Sequence, residues 1–300
     1  MDLLTYNIQH GRGQDHVHDL SRIVDLIRPF DLIALQEVER HWERSGHADQ
    51  VAEILSAMPT HYHIWGPTID ECKAVHQSSA LPPSCGRRQF GNLLLSRYPI
   101  LWARQHSLLG HQSALHLNLH RGLIEAVVEL PNGPIRIYVV HLTYPLPIVA
   151  ESHITQLLNI VRHSRVEGPP VSGKHGDESW FNEAHPLVPD EAILLGDFNF
   201  RPGDPPYELL VGCHHPRLGR VIDKDTGLID AWVTAGNAED GADKGGNDAT
   251  FHPNGVGNLG YRVDYCFLSN TISHLVESCE VISDCMYSDH FPLYVRLKNI

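Results

Sequence analysis

Polar side chains of the types that bind metal ions and carry protons stand at or near the ends of several apolar segments in this sequence. Asp197 and Asn199 close the run AILLGDFN, His141 closes IRIYVVH, and Asp264 lies within YRVDYCFLS. Each position taken alone is explained as well by a turn, a helix cap or a buried hydrogen bond. Their repetition suggests a common site, because the strand ends of two packed sheets can converge on one mouth.

The same pattern includes further groups at other predicted strand ends. It adds Asn7 in the first strand, Glu37 at the end of the second, and Asp289 with His290 just before the last. Carboxylate and amide oxygens suit Mg²⁺ or Mn²⁺ better than zinc. The histidines are proton carriers or phosphate donors, and a carboxylate such as Asp264 holds a histidine in one tautomer. This composition suits metal-assisted attack of water on a phosphate ester.

The periodicity of apolar residues predicts the elements that must position these groups. Short apolar runs predict strands at 3–8, 31–37, 91–100, 123–130, 135–142, 192–198, 261–269 and 291–299. Helical spacing predicts helices near 20–27, 48–58 and 154–161, and PPYELL predicts a short one. Residues 66–90 and 164–189 are predicted to be long loops. The order of elements predicts a single α/β domain over 1–300, with two packed sheets flanked by helices.

The composition indicates a folded, acidic protein. Of its 300 residues 42% are hydrophobic, and the formal net charge is -13. Such a surface repels a nucleic-acid backbone, so nucleic acid is a disfavoured partner unless a local basic groove exists. Cys72 and Cys85 flank a predicted loop and would pair only in an exported protein. The N-terminal residues show no leader pattern and no transmembrane segment is evident, which favours a cytoplasmic protein with free thiols.

The motifs and their order resemble those of the endonuclease/exonuclease/phosphatase superfamily, the DNase I-like fold. The matching segments are TYNIQHG (5–11), LQEV (35–38), GNLLLSRYPI (91–100), VVHL (139–142), GDFN (196–199), RVDYCFLS (262–269) and SDHFPL (288–293). GDFN, SDH and the strand between them are the specific part, whereas LQEV and TYNIQHG alone are weak. The resemblance implies a four-layer α/β/β/α sandwich with two mostly antiparallel, mixed sheets, and a metal-dependent hydrolase of phosphate esters.

The resemblance also implies roles for the matching acids and amides. Glu37 would be the main metal ligand, with Asn7 beside it and Asp289 in support. Asp197 and Asn199 would bind the attacking water and the scissile phosphate. One or two ions of Mg²⁺ or Mn²⁺ are implied, and members of the superfamily differ over which carboxylate activates water.

The histidines have implied roles as well. His290, paired with Asp264, would act as general base or as a donor to the transition state. His141 would contact the phosphate or assist the leaving group. Strand alternation further predicts that Asp197 and Asn199 point to one face and Phe198 to the other.

The sequence departs from some abasic-site nucleases of the superfamily, which carry an acidic residue where this chain has Gln9. GNLLLSRYPI and HRGLIEAVV look more like the bacterial metal-dependent hydrolases and phospholipid phosphodiesterases of the superfamily. Asn92 and Arg121 in these segments are candidate substrate contacts. We therefore expect a phosphodiesterase or phosphomonoesterase acting on a small-molecule or lipid-like ester.

Three other interpretations stay open. A DNA or RNA nuclease would need a basic groove, for which the clustered candidates are Arg87, Arg88, Arg97 and Arg121. A binding module that lost its chemistry is disfavoured, because every expected acid, amide and histidine is present. DHVHD (15–19) resembles part of a zinc motif, but its trailing D-H is misplaced and it stands at the start of a predicted helix.

Overall fold

The computed structural model describes residues 1–72, 87–111, 117–143, 147–173, 176–177, 188–222, 227–239, 248–253, 255 and 259–298. Two six-stranded mixed sheets form its centre. In spatial order the first sheet contains β13 (Val276–Val281), β14 (Leu293–Leu297), β1 (Asp2–Asn7), β2 (Leu32–Arg40), β4 (Arg87–Ser96) and β3 (Tyr62–Cys72). The second contains β11 (Leu228–Asp230), β12 (Asp264–Ser269), β8 (Ala192–Asp197), β7 (Gly133–His141), β6 (Gly122–Leu130) and β5 (Ile100–Ser107).

The remaining elements lie outside these sheets. They are α1 (Leu20–Ile27), α2 (Gln50–Ala57), α3 (Pro147–Glu167), α4 (Pro205–Val211), α5 (Ala231–Thr234) and a small hairpin of β9 (Cys213–His215) and β10 (Gly219–Val221). None of the helices in the described ranges is long and apolar enough to cross a membrane.

Successive residues of the central strands enter different cores, which explains why these strands read as unbroken apolar runs. Leu3 and Ala34 face the space between the sheets, whereas Leu4 and Leu35 pack with α1 and α2 on the outer face. A third cluster packs α3 and α4 against the outer face of the second sheet. The result is the expected four-layer α/β/β/α sandwich, DNase I-like in its order of layers.

The register of the strands brings polar residues to one edge. β7 and β8 are parallel with His141 opposite Asp197, and Asp197 is also opposite Asp264 in antiparallel β12. These three positions are therefore lateral neighbours, about 5 Å apart from strand to strand. In the first sheet, parallel β1 and β2 place Asn7 opposite Gln36, so Glu37 follows at the same edge.

The structure corrects the predicted position of Glu37, which lies inside β2 rather than at its end. The pairing of β2 with β4 shifts register between Leu35 and Val38, and Glu37 has a left-handed backbone with φ 60°. A bulge of this kind re-aims one side chain while the strand continues. Alternation from the strand core would not have predicted the direction of this carboxylate.

Both predicted loops are shorter than the sequence suggested. β3 extends to Cys72 and β4 begins at Arg87, so the ends of 66–90 are paired strands, and residues 73–86 lie outside the described residues. α3 continues to Glu167, which removes the first part of the loop predicted at 164–189. Cys72 is an exposed free thiol, and its proposed partner Cys85 lies outside the described residues.

Candidate active site

Asp197, the last residue of β8, is the point at which side chains from both sheets meet. Its Oδ2 accepts a hydrogen bond from Asn7 Nδ2 at 3.0 Å and lies 3.4 Å from His141 Nε2 and 3.8 Å from His290 Nε2. Its Oδ1 accepts from the backbone N–H of Asn199 at 2.9 Å. The side chain is 1% exposed. Burial raises the pKa of the Asp197 carboxyl, as does Asp264, although His290 opposes this.

His290 is held between two carboxylates. Its Nδ1 lies 2.8 Å from Asp264 Oδ2, which leaves Nε2 directed at Asp197. The His290 backbone N–H donates to Ser288 Oγ at 3.1 Å, and the Phe251 ring lies 4.7 Å from the imidazole. Burial alone would lower the pKa of His290, but Asp264 and Asp197 outweigh burial and raise it. His290 is therefore a fixed, positively charged group at the mouth.

His141 is in the opposite protonation state. Arg121 Nη1 lies 3.0 Å from His141 Nδ1, and a guanidinium only donates, so Nδ1 must be the acceptor. Burial, with the positive charges of Arg121 and His290, lowers the pKa of His141 well below its usual value. A neutral imidazole that accepts at Nδ1 carries its proton at Nε2, the atom that faces Asp197. Two histidines with different charge thus flank one carboxylate.

Glu37 stands beside this group with few partners of its own. The amide nitrogen of Asn7 lies 3.4 Å from Glu37 Oε1 as well as 3.0 Å from Asp197, and so bridges the two sheets. Burial raises the pKa of the Glu37 carboxyl, although the nearby Arg121 guanidinium opposes this. Asn7 Oδ1 is turned away, since it accepts from the Gln9 backbone N–H at 3.1 Å. Gln9 connects Asp289 to Asn7, because its Nε2 donates a hydrogen bond to Asp289 Oδ2 at 2.8 Å.

This set of donors fits a divalent cation. Asp264 Oδ1 is buried with no hydrogen-bond partner in the described part of the chain, and Glu37 accepts only the long amide contact described above. A buried carboxylate oxygen with no hydrogen bond, such as Asp264 Oδ1, is costly unless a cation shares it. The ligand atoms of Asp197, Asp264 and His290 also lie within 4.8 Å of one another, although a protonated His290 has no free lone pair for a metal ion, so only the two carboxylates of this group would share a cation. Oxygen ligands of this kind favour hard ions.

Asn199 lies beyond the strand, so alternation does not explain its direction. β8 ends at Asp197, and Asn199 has a left-handed backbone with φ 54°. Its Nδ2 donates to Leu142 O at 3.0 Å, which ties the GDFN turn to the end of β7. Phe198 does turn away as expected, into the aromatic core with Tyr265 and Phe267.

The two candidate substrate contacts differ in position. Arg121 lies in the site, against His141. Asn92 is 1% exposed between the sheets, where its Nδ2 donates to Gly122 O at 3.3 Å and Val139 O at 3.5 Å. That contact is structural, and a substrate contact by Asn92 stays a prediction.

Sequence reasoning missed several residues that orient the site. Thr250 Oγ1 accepts from the backbone N–H groups of Val263 and Asp264, both at 3.1 Å, and so fixes the start of β12. Ser288 Oγ donates to Asn7 O at 2.8 Å and links β1 to the segment that carries His290. Ser288 belongs to the SDH motif, so the sequence could have indicated it. The sequence could not have indicated Thr250, because this residue lies outside any predicted strand or helix.

Sequence and structure comparisons place this chain among known proteins. A sequence profile of the endonuclease/exonuclease/phosphatase family matches residues 4–290. No curated protein sequence matches significantly.

Several solved structures have the same fold at low sequence identity. An endonuclease/exonuclease/phosphatase from Beutenbergia cavernae is 19% identical with a TM-score of 0.62, over 99% of this chain and 71% of that one. A family protein from Leptotrichia buccalis is 17% identical, TM-score 0.63, over 99% of both chains. A mannosyl-6-phosphatase from Bacteroides thetaiotaomicron is 16% identical, TM-score 0.62, also over 99% of both. Since the profile covers nearly the whole sequence, this chain belongs to the endonuclease/exonuclease/phosphatase family.

Proposed function

We propose that this protein is a divalent-metal-dependent phosphodiesterase that acts on a small-molecule or lipid-like phosphate ester. Members of its family are phosphoester hydrolases and generally depend on a divalent metal ion. The observation that carries the proposal is the convergence on Asp197 Oδ2 of Asn7 from one sheet, His141 from the other and His290 from the loop before β14. A buried carboxylate surrounded by one neutral and one charged imidazole is equipped for proton transfer.

Glu37 would hold the metal ion, Mg²⁺ or Mn²⁺, with Asp289 and the amide oxygen of Asn7 as further ligands. A bound ion would supply positive charge to the phosphoryl oxygens and would make water a better nucleophile. In the structure Asn7 presents its nitrogen, not its oxygen, to Glu37 and Asp197. Ligation by Asn7 therefore requires its amide group to turn over.

Asp197 is proposed to accept the proton of the attacking water. Its Oδ2 is the atom on which Asn7, His141 and His290 converge. Burial raises the pKa of the Asp197 carboxyl, which makes it a stronger base than an exposed aspartate. Asn199, whose backbone N–H is bound to Asp197 Oδ1, would hold the scissile phosphate beside it. The attacking oxygen would then approach phosphorus from the Asp197 side.

The two histidines would act on the other oxygens of the phosphate. His290 keeps its proton because Asp264 binds Nδ1, so its Nε2–H donates to a phosphoryl oxygen as negative charge develops there. Neutral His141 presents Nε2–H to the phosphate or to the leaving oxygen, held in that tautomer by Arg121. Asp264 is a positioning residue for His290, as Arg121 is for His141.

The surface arginines support a small substrate rather than a nucleic acid. Arg87 Nε lies 2.7 Å from Asp70 Oδ1, and Arg88 Nη2 lies 2.6 Å from Glu71 Oε1. Arg97 donates to Arg28 O at 2.8 Å, so it is also occupied. Groups already paired with protein oxygens neutralise phosphates poorly, and the formal net charge is -13.

A substrate panel with Mg²⁺ or Mn²⁺, and with excess EDTA, tests the proposal. It contains a chromogenic diester, a chromogenic monoester, a phospholipid, and single- and double-stranded DNA. We expect the diester or the phospholipid to be hydrolysed fastest, only with metal, and activity to be lost in His290→Ala but kept in His63→Ala, an exposed control. Preference for DNA would replace the proposal by the nuclease alternative. Preference for the monoester would favour a phosphatase, in line with the mannosyl-6-phosphatase of similar fold.

A further inference from the structure

Four basic side chains form a compact group on the loop that joins β1 to α1, in the segment whose DHVHD motif has no role in the proposed chemistry. This group, the His10 cluster, consists of His10, Arg12, His16 and His18. Arg12 and His18 pair as an antiparallel bridge, which places their side chains on one face of the loop. His10 stacks on His18 with ring centroids 5.1 Å apart, and His10 Nδ1 lies 3.1 Å from His18 Nε2.

Arg12 supplies the formal positive charge of the His10 cluster, and it is not hydrogen-bonded to any carboxylate in the described residues. Arg12 has no ion pair there, and its hydrogen bond is to another basic group, with Nη2 2.7 Å from His16 Nδ1. The acids on the same loop are engaged elsewhere, since Asp15 and Asp19 both pair with Arg22.

Arg44 lies near the cluster as one partner of an ion pair. It reaches the same region from the loop after β2, where it pairs with buried Glu39. Burial, followed by Arg44, His18 and Arg12, lowers the pKa of His10 to about 3. A guanidinium with no carboxylate partner favours an anion over a cation.

The cluster stands at the same edge of the first sheet as the proposed metal ligands. β1 and β2 are parallel, so the loops that carry the cluster and Arg44 both leave from the edge at which Asn7 and Glu37 lie. The connection is direct, because Gln9, the neighbour of His10, binds Asp289 through its side chain and Asn7 through its backbone N–H. The His10 cluster therefore lies beside the candidate active site.

The available donors match a phosphate group. A guanidinium presents donors in a planar fork that binds phosphate through two hydrogen bonds, and only one Arg12 contact is occupied in the described residues. His18 is exposed, and its Nδ1 has no partner among the described residues, so it can donate to an anion in the tautomer whose Nε2 accepts from His10 Nδ1. His10 is 9% exposed and supports it from below. No zinc-like grouping competes, since the described residues bring three ligand atoms together only at Asp197, Asp264 and His290.

We propose that Arg12 and His18, supported by His10, form a subsite for a second phosphate group of the substrate, next to the ester that is cleaved. This inference rests on the proposed function and narrows it to substrates with an anionic group beyond the scissile phosphate. Arg12 and His18 would act as specificity-determining residues and take no part in proton transfer.

The first experiment measures binding without catalysis. Inorganic phosphate is titrated into the metal-free protein in EDTA, and the imidazole proton resonances of His10 and His18 are followed by NMR. We expect saturable shifts in the native protein, about tenfold weaker binding in Arg12→Gln, and native binding in the exposed control His63→Gln. Absence of saturable shifts, or equal affinity in Arg12→Gln, would overturn the subsite.

The second experiment compares two chromogenic diesters that differ only in one phosphate, thymidine 5′-(p-nitrophenyl phosphate) with and without a 3′-phosphate. We expect Arg12→Gln and His18→Gln to lower kcat/KM about tenfold for the 3′-phosphorylated diester alone, mainly through KM. Equal losses on both diesters would contradict the inference. If neither diester is hydrolysed by the native protein while phosphate still shifts His18, the subsite stands and the proposed activity fails.

Discussion

His290 Nδ1 lies 2.8 Å from Asp264 Oδ2, so the imidazole that precedes β14 in the first sheet is held by the first residue of β12 in the second. The contact crosses the space between the sheets, and both partners are buried. It leaves His290 Nε2 directed at Asp197 Oδ2, 3.8 Å away. The packing of the two sheets therefore determines the direction and charge of this imidazole.

Replacing Asp264 with Asn should inactivate the enzyme without unfolding it. The amide still fills the space, but it no longer raises the pKa of His290, which should fall, and it no longer selects the protonated ring. We expect kcat to decrease about 100- to 10,000-fold. Steady-state kinetics and an NMR titration of His290 check this, with Asp25→Asn as the control, since the Asp25 side chain is 79% exposed. Native kcat together with a lowered His290 pKa would show that the charge of His290 is irrelevant.

Glu37→Gln should weaken metal binding and leave the fold intact. The half-buried carboxylate has one amide contact in the described residues, so its negative charge is available to a cation. We expect the Mn²⁺ dissociation constant, measured by electron paramagnetic resonance, to rise about 10- to 100-fold. Glu53→Gln, at an exposed position on α2, is the matched control. Native Mn²⁺ affinity in Glu37→Gln would mean that the metal ion binds elsewhere.

Arg121→Gln should change the titration of His141. The guanidinium and burial together keep the pKa of His141 well below its usual value, and removal of the charge leaves only burial and His290 to lower it. The pKa of His141 should therefore rise, and His141 should lose its fixed tautomer. NMR titration of the His141 ring detects this, with Arg28→Gln, 53% exposed, as the control. An unchanged His141 pKa would mean that Arg121 does not act on it.

The surroundings of Glu125 lead us to expect that part of the free energy of unfolding depends on pH, independently of catalysis. Its side chain is fully buried, with His106 Nε2 at 2.7 Å and Arg104 Nε at 3.1 Å from Oε2. Burial raises the pKa of Glu125, but hydrogen bonds from His106, Ser164 and Arg104 outweigh it and lower the pKa to about 2. The folded pKa is below the unfolded one, so this stability is complete above about pH 4.5 and is lost as the pH falls towards 2.

Glu125→Gln tests that prediction by denaturant unfolding at pH 7 and pH 3. We expect a loss of about 3 kcal/mol at pH 7 that shrinks at pH 3, because Glu125 of the unfolded chain is protonated at pH 3 and the folded carboxylate must give up that proton. Glu129→Gln, exposed on the same strand, should change little at either pH. An equal loss at both pH values would mean that packing, not charge, explains the effect.

Apolar runs predicted the layers well, because a strand buried on both faces must be apolar at successive positions, as Leu3 and Leu4 are. They failed at β5, an edge strand of mixed polarity, and at β13, whose short sequence VESCEV has no strong period. They also missed β3 altogether and the first residues of β4, since Pro67 suggested a loop where the pairing only shifts register.

The site was predictable in its residue types but not in its contacts. Predicted strand ends indicated Asp197 and His141, because laterally paired strands must bring such positions together. Asp264 was expected inside a strand over 261–269, whereas it is the first residue of β12. The bulge at Glu37 and the left-handed turn at Asn199 depend on long-range pairing and could not be predicted from local pattern. The roles of these residues stay predictions, and the experiments above and below test them.

The most direct test of the account is hydrolysis of the best diester of the panel by Asp197→Asn in saturating Mg²⁺ or Mn²⁺. Asparagine keeps the shape and the contact with Asn199 but cannot accept a proton from water. We expect a loss of at least about 100-fold in kcat, with a native circular dichroism spectrum and native activity in Asp25→Asn. Hydrolysis by Asp197→Asn at the native rate would contradict the central claim that Asp197 activates the attacking water.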